Sequence, residues 1–254
     1  MEVSRPSKNE IKFIKSLAIK KYRYKNDAFI VEGLKSVTEF IHSDINVQRI
    51  FLMSHLLEEV KFDINEYNCT IVDEKGIKSI SAQENPAGIL AIVEMPKYSL
   101  LDRKWGHGCT LLLDNVQDPG NLGTLIRLAD WFDLKQVVCS VGTVDCFNAK
   151  VVQSSMGSLA RIPVFYTDLV SFLEDRKNIQ IFSAVLGGQN LYQTNIKSPC
   201  FLILGNEANG INIDLKAFST TEIEIPKMGK AESLNVAIAG GIILSEFQRQ
   251  LTQQ

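Results

Sequence analysis

Ile225-Pro226-Lys227-Met228-Gly229-Lys230-Ala231-Glu232-Ser233-Leu234-Asn235-Val236-Ala237 runs from the end of a strand-like segment (Thr221 to Ile225), through a loop of small and polar residues, into a helix expected to begin near Leu234. Such a succession makes a place to hold a ligand. Backbone N–H groups at a helix start lack intrahelical partners, and Ser233 and Asn235 offer side-chain hydrogen bonds at the same spot. The same residues also suit a plain cap, with Ser233 closing a core helix whose apolar face is Val236, Ile238, Ala239, Ile242 and Ile243. This stretch alone does not choose between the two.

Working back along the chain, Phe201-Leu202-Ile203-Leu204 reads as a buried strand, and Gly205-Asn206-Glu207-Ala208-Asn209-Gly210-Ile211 begins the turn at its carboxyl end. Further back, Leu111 to Val116 is an apolar run ending in Asp114-Asn115, followed by Gln117-Asp118-Pro119-Gly120-Asn121-Leu122-Gly123 and then by Thr124 to Phe132 at helical spacing. Pro119-Gly120 reads as a turn, which places the helix start near Leu122. Arg127 then lies within about two turns of that start. It falls on or near the rim of a helix whose core face is Leu125, Ile126, Leu128, Ala129 and Phe132. An arginine on so apolar a helix points to a charge or a water-filled cleft beside it. All three segments put their polar residues at the carboxyl ends of strands, where ligands bind in open α/β sheets, so they read as one site.

In order, spacing and context these segments resemble the three motifs of the SpoU (TrmH) family of RNA ribose 2′-O-methyltransferases, over roughly residues 109 to 248. Phe147-Asn148-Ala149-Lys150 and Ser154-Ser155-Met156-Gly157-Ser158-Leu159 are similar to the family's middle region. The strand and helix alternation itself suggests an α/β fold with a parallel sheet. The resemblance adds that residues 109–254 form a carboxyl-terminal trefoil-knot (SPOUT) methyltransferase domain, a topology contrary to ordinary connection rules. It further implies S-adenosylmethionine as cofactor and a homodimer with active sites near the subunit interface. Apolar surface on the last helix (Ile242, Ile243, Leu244, Phe247) suits that contact, and equally suits burial within one chain.

The resemblance also distributes roles. Arg127 would act on the ribose hydroxyl with help from an RNA phosphate, Asn121 would position Arg127, Glu207 would orient Asn121 or Arg127, and Ser233 and Asn235 would complete the polar wall. Gly205, Asn206, Ile225 and Leu234 match cofactor-holding positions. Met228 would pack on the adenine or be a plain loop residue, and Leu186-Gly187, after a strand Ile181 to Val185, would form another side of the pocket. An ordinary arginine stays charged at neutral pH, so the residues themselves support a narrower role in which Arg127 binds phosphate and stabilises the developing alkoxide, whether or not it takes the proton. One departure from the family pattern, Trp131-Phe132-Asp133 in place of a small residue followed by Phe-Gly, bears on packing at the helix end.

The amino-terminal part reads differently. From Met1 to Lys25 there are eight Lys or Arg against two acids, in a chain whose net charge is −2, so positive charge is concentrated there. Ile11, Ile14, Leu17 and Ala18 give this helix an apolar side, while Lys8, Lys12 and Lys15 share the other, as a solvated face or a phosphate-contacting one. A helix near Leu34 to Ile41 and short strands at Arg49 to Met53, Thr70 to Val72 and Gly88 to Val93 suffice for a small α/β domain. With Arg23, Lys25, Glu32-Gly33 and Asn85-Pro86-Ala87-Gly88-Ile89, this pattern is similar to the L30e-like substrate-binding domain appended to many SpoU proteins. We therefore expect an RNA-binding domain over residues 1–95, with Arg23 and Lys25 on the RNA together with Arg127, and a linker over 96–108.

Composition narrows the remaining classes. No apolar run approaches the roughly 18 residues of a membrane span. Cys69, Cys109, Cys139, Cys146 and Cys200 are odd in number and lack C-x-x-C spacing, which argues against a disulfide framework or a zinc site and for a cytoplasmic protein without a metal. His42, His55 and His107 fall outside the three motifs. No Gly-x-Gly-x-x-Gly or Gly-x-x-x-x-Gly-Lys-Ser/Thr loop supports a dinucleotide oxidoreductase or a nucleotide hydrolase. The expected partner is a structured RNA, with large-subunit ribosomal RNA favoured through the family. The alternatives are a transfer RNA ribose methyltransferase and a non-catalytic RNA-binding protein of the same fold.

Overall fold

The structure, a computed structural model, describes residues 3–101, 105 and 107–253. It divides into two compact units, one comprising the chain up to Lys97 together with Asp145–Arg161, the other Tyr98–Val144 together with the chain from Ile162.

The first unit holds four strands, β1 (Ala28–Glu32), β2 (Val47–Met53), β3 (Cys69–Val72) and β4 (Ile89–Glu94), in the order β1-β4-β2-β3. β4 runs antiparallel to both β1 and β2, and β2 runs parallel to β3. The first helix, Lys8–Ser16, starts at a capping box: the Ser7 hydroxyl accepts from the Glu10 N–H, and the Ser7 N–H donates to Glu10 Oε2. Ile14 and Leu17 drop into a core completed by Ala28, Ile30, Phe51, Val72, Ile77, Ile80, Leu90 and Ile92. The helix Leu34–Ile41 matches its expected bounds. Strand β1 was not foreseen, because Ala28-Phe29-Ile30-Val31 is buried throughout and shows no alternation.

Asp145–Arg161 belongs to this unit although the resemblance groups it with the motif region. The physical reason is a buried ion pair and an apolar seam. Arg23 Nη2 lies 2.6 Å from Asp145 Oδ2, with both side chains nearly inaccessible. Arg23 Nε donates to the same oxygen, and Nη1 donates to the Leu17 and Ala18 carbonyls. The Phe147 ring packs on Phe29 at 4.8 Å between centroids, and the helix Ala149–Ser155 buries Val151 and Val152. Burial, with the Asp145 charge behind it, pushes the Tyr24 phenol well above its ordinary pKa.

The second unit is a six-stranded, wholly parallel sheet of β5 (Cys109–Leu113), β6 (Val137–Ser140), β7 (Val164–Thr167), β8 (Gln180–Asn190), β9 (Cys200–Leu204) and β10 (Thr221–Glu224), in the order β10-β8-β9-β5-β6-β7. Every residue of the central strands β5 and β9 is buried, as expected of strands covered on both faces. The helices Pro119–Trp131 and Val236–Leu251 pack together. A Cβ on Gly240 would come within 2.8 Å of Leu125 and 2.9 Å of Leu204, so a larger residue there would force these buried side chains to shift. Of the expected linker, Asp102-Arg103-Lys104 and Gly106 lie outside the described residues. Trp105, partly buried, packs against the core of this unit, 5.0 Å from Phe172 and 6.0 Å from Phe201 between centroids.

Both motif helices begin elsewhere than expected. The first starts at Pro119, not near Leu122, because Asp118 is its N-cap and proline, lacking an N–H, suits the first helical position. The second starts at Val236 with Asn235 as cap. Its buried side includes Val236, Ala237, Gly240, Ile243, Leu244 and Phe247, and Ile238, expected in the core, is exposed.

Candidate active site

Strands β5, β8, β9 and β10 end at one edge of the parallel sheet, and the polar loops of the three motifs meet there. Asn235 Oδ1 accepts from the N–H groups of Ala237 and Ile238 at 2.9 and 3.3 Å, capping the last helix. Its amide nitrogen must then face outward, and it donates to Asn121 Oδ1 at 2.9 Å. That in turn fixes the Asn121 amide, whose Nδ2 donates to Glu207 Oε1 at 2.6 Å. Asn121 is itself held by its backbone N–H, which donates to the Asp118 cap at 2.7 Å. A helix cap thus dictates the direction of a hydrogen-bond chain ending on a solvent-exposed carboxylate.

The loop carrying Glu207 is equally constrained. Asn206 and Gly210 exchange two backbone hydrogen bonds of 2.9 Å. Asn206 Nδ2 donates to the Asn115 carbonyl, and its Oδ1 accepts from the Ala208 and Asn209 N–H groups. A Cβ on Gly205 would come within 2.4 Å of the Gly210 backbone, so glycine is required for the loop to fold back this closely.

Beside this loop lies a cavity of about 500 Å³, within the usual range for cofactor sites. Five of the seven residues expected on the cofactor line it: Leu186, Gly205, Asn206, Ile225 and Leu234. Glu207 and Ser233 belong to its wall as well, so the cavity and the Asn121–Glu207–Asn235 chain share a border. Val185, Leu204, Val236 and Ile243 give it an apolar side, and Glu224 and Glu232 add carboxylates. This mixture fits S-adenosylmethionine: apolar surface for an adenine, carboxylates for a cation and for ribose hydroxyls, and backbone groups near Gly205.

Two expected cofactor residues are placed otherwise. Met228 is 95% exposed and not part of the cavity wall, because the loop after Ile225 carries it outward. Gly187 is also off the wall; its N–H donates to Glu224 Oε2 at 2.8 Å and fixes the β8 segment. Residues missed beforehand include Ala184, Val185, Ile223 and Glu224. They line the cavity because β8 leaves its ladder with β10 after Ser183, paired with Glu222, and rejoins at Gln189, paired with Ile223.

Arg127 is exposed, and among the described residues it makes no ion pair or hydrogen bond. At roughly 100° per residue it leaves the helix about 120° around from Asn121, so one chain does not bring the two side chains together. In the first unit, Lys25 is exposed, as an RNA contact requires. Arg23 is not: at 3% exposure, committed to Asp145 and two carbonyls, it is a structural residue, which corrects its expected place on the RNA. Among the described residues no helix is long and apolar enough to cross a membrane, and no group of three or more His, Cys, Asp or Glu could hold a metal ion.

The SpoU rRNA methylase family profile matches residues 108–245, and an MRM3-like substrate-binding domain profile matches residues 8–91. The chain belongs to the SpoU family. A relative in Bacillus subtilis, the 23S rRNA (guanosine(2553)-2′-O)-methyltransferase RlmP, is 33% identical over 247 residues, covering 96% of this chain and 97% of that protein. An rRNA methyltransferase of Sinorhizobium meliloti, solved with bound AdoMet, is similar with a TM-score of 0.87 at 31% identity, covering 98% of each chain. A TrmH-family structure from Porphyromonas gingivalis gives a TM-score of 0.85 at 37% identity, covering 97% of this chain and all of the other. The fold is therefore that of the SpoU methyltransferases, an α/β parallel-sheet domain with a separate amino-terminal domain.

Proposed function

We propose that this SpoU protein is an S-adenosylmethionine-dependent RNA methyltransferase that acts on a ribose 2′-hydroxyl of large-subunit ribosomal RNA, in the cytoplasm and as a homodimer. The observation that carries this reading is the Glu207–Asn121–Asn235 hydrogen-bond chain on the border of a cofactor-sized cavity. When bound, S-adenosylmethionine supplies an electrophilic methyl group on a sulfonium. The residues of this chain then have to hold a weakly acidic hydroxyl in line with it, and positioning of this kind supplies several kcal/mol.

The Asn121 amide, locked from both ends, gives the ribose a rigid polar edge, with Ser233 on the same wall. Glu207 provides the fixed anion that holds Asn121 in one orientation. Arg127, a permanent cation facing elsewhere on the helix, takes the phosphate next to the target nucleotide and stabilises the developing alkoxide with its own positive charge. Leu186, Gly205, Asn206, Ile225 and Leu234 hold the cofactor, Lys25 contributes to RNA binding, and no metal takes part. We divide the chain into a substrate-binding part, the chain up to Lys97 completed by Asp145–Arg161, and a methyltransferase part, Tyr98–Val144 with the chain from Ile162.

Two measurements test the reading. Calorimetric titration with S-adenosylmethionine is expected to give saturable binding, and unmodified large-subunit ribosomal RNA transcripts are expected to gain one 2′-O-methyl group. Cofactor and RNA binding without transfer would give the lead to the non-catalytic RNA-binding alternative. Transfer to transfer RNA alone would move the substrate.

A further inference from the structure

The substrate-binding match spans residues 8–91. Within that unit a cavity of about 230 Å³ has a floor of the core residues Ile14 and Ile92 and walls of Glu10 and Phe13 of the first helix, Gln48, Arg49 and Phe51 of β2, and Asn68. Its walls are unlike those of a packing gap. Phe13 is 36% exposed, on a helix that packs through Ile14 and, at its C-cap, Leu17. The Gln48 and Asn68 side-chain amides make no hydrogen bond among the described residues, so both have donors and acceptors to offer.

Arg49 is held on several sides. Its Nη2 is 2.6 Å from Glu10 Oε1 and 3.1 Å from Thr70 Oγ1, and its guanidinium carbon is 5.1 Å from the centroid of the Phe51 ring. Its Nε–H is nonetheless buried with no acceptor. A buried orphan donor beside a cavity calls for an explanation, and a ligand atom that the guanidinium could turn to meet supplies one. Hydrogen bonds from Ser7, and then the Arg49 charge, hold the Glu10 carboxyl below its ordinary pKa, so this wall stays an ion pair. Lys12 and Lys15 are both exposed, and at roughly 100° per residue Lys12 is the nearer of the two to Phe13 around the helix.

We propose that this cavity receives one unpaired base of the RNA, stacked on Phe13 and hydrogen-bonded by Gln48, Asn68 and Arg49, while Lys12 meets a flanking phosphate. Proteins that read RNA by sequence take hold of splayed-out bases in this way, on aromatic rings and guanidinium planes with amides at the base edge. The inference rests on the RNA substrate proposed above and adds the place where the strand is gripped away from the reacting ribose.

The test uses the full chain and unmodified large-subunit ribosomal RNA made by transcription. A photoreactive benzoylphenylalanine in place of Phe13 is expected to crosslink to an unpaired nucleotide, mapped as a reverse-transcription stop. Phe13→Ala and Gln48→Ala are each expected to weaken RNA binding about tenfold, and Phe13→Trp to keep it, with S-adenosylmethionine affinity unchanged in all three. Crosslinks confined to base-paired stems, or alanine variants that bind RNA within about twofold of the parent, would overturn the base pocket, since a stacked base is worth more than that. A chain that shows these RNA effects and transfers no methyl group would overturn the enzymatic reading and leave the pocket standing. A chain that binds S-adenosylmethionine but not the RNA would overturn both.

Discussion

Each unit ties distant residues together through one polar cluster, and the two clusters obey different physics. Arg23 and Asp145, 122 positions apart, form a buried ion pair in the first unit. Asn121 reaches Glu207 and Asn235, 86 and 114 positions away, through hydrogen bonds at an exposed surface of the second. Charge inside the protein has to be matched, so the first cluster is explained by the fold that contains it. Hydrogen bonds open to water contribute little net stability, so folding alone does not require the second to be held in one geometry. Its defined geometry, beside a cavity, is what the proposed methyl transfer would need.

The comparison predicts opposite responses to truncation. Asp145→Ala leaves a buried guanidinium without its counterion and is expected to cost about 3–5 kcal/mol, read as a large drop in melting temperature. Asn121→Ala at the exposed cluster is expected to stay within about 0.5 kcal/mol of the parent in the same melt. A melting temperature that falls as far for Asn121→Ala as for Asp145→Ala would erase the distinction. Next in size, Arg127→Ala is expected to lower methyl transfer about 10²–10³-fold, as for other lost electrostatic groups, with calorimetric cofactor binding and melting temperature unchanged. Loss of cofactor affinity in that variant would move Arg127 from the RNA to the cavity.

Arg23 also shows where a sequence stops being readable. It stands among eight basic residues in the first 25, and nothing local separates it from Lys25; its partner Asp145 comes into view only in three dimensions. The motif strands were legible because their apolar runs, such as Phe201–Leu204, end on glycine and asparagine at the sheet edge. The start of the Pro119–Trp131 helix was not, because Pro-Gly serves equally as a turn and as the first positions after an aspartate cap. The excursion of β8 after Ser183 was hidden as well. Val185 looks like an ordinary strand residue, and only the pairing register with β10 shows that it leaves the ladder and lines the cavity. Sequence motifs thus located the loops and the pocket walls they form, and missed the walls that β8 and β10 add at Ala184, Val185, Ile223 and Glu224.

Asn235 belongs to both kinds of cluster, and for that reason it offers the finest test. Its Oδ1 caps a helix, which is structural work, while its Nδ2 orients Asn121, which is proposed to be catalytic. Asn235→Ala removes both and is expected to cost about 1 kcal/mol of stability as well as activity. Asn235→Asp separates them. The carboxylate still accepts from Ala237 and Ile238, and its charge suits a helix N-terminus, so the melting temperature is expected to hold or rise. It cannot donate to Asn121, however. If the Asn121 amide turns to donate toward the introduced carboxylate, its oxygen then faces the Glu207 carboxylate; if it does not turn, its oxygen faces the introduced one. Either way one contact of the chain becomes repulsive, and methyl transfer is expected to fall roughly tenfold through lost positioning alone. Full activity in the Asn235→Asp variant would show that the fixed direction of the Asn121 amide is a by-product of helix capping, and the contrast between the two clusters would then lose its functional half.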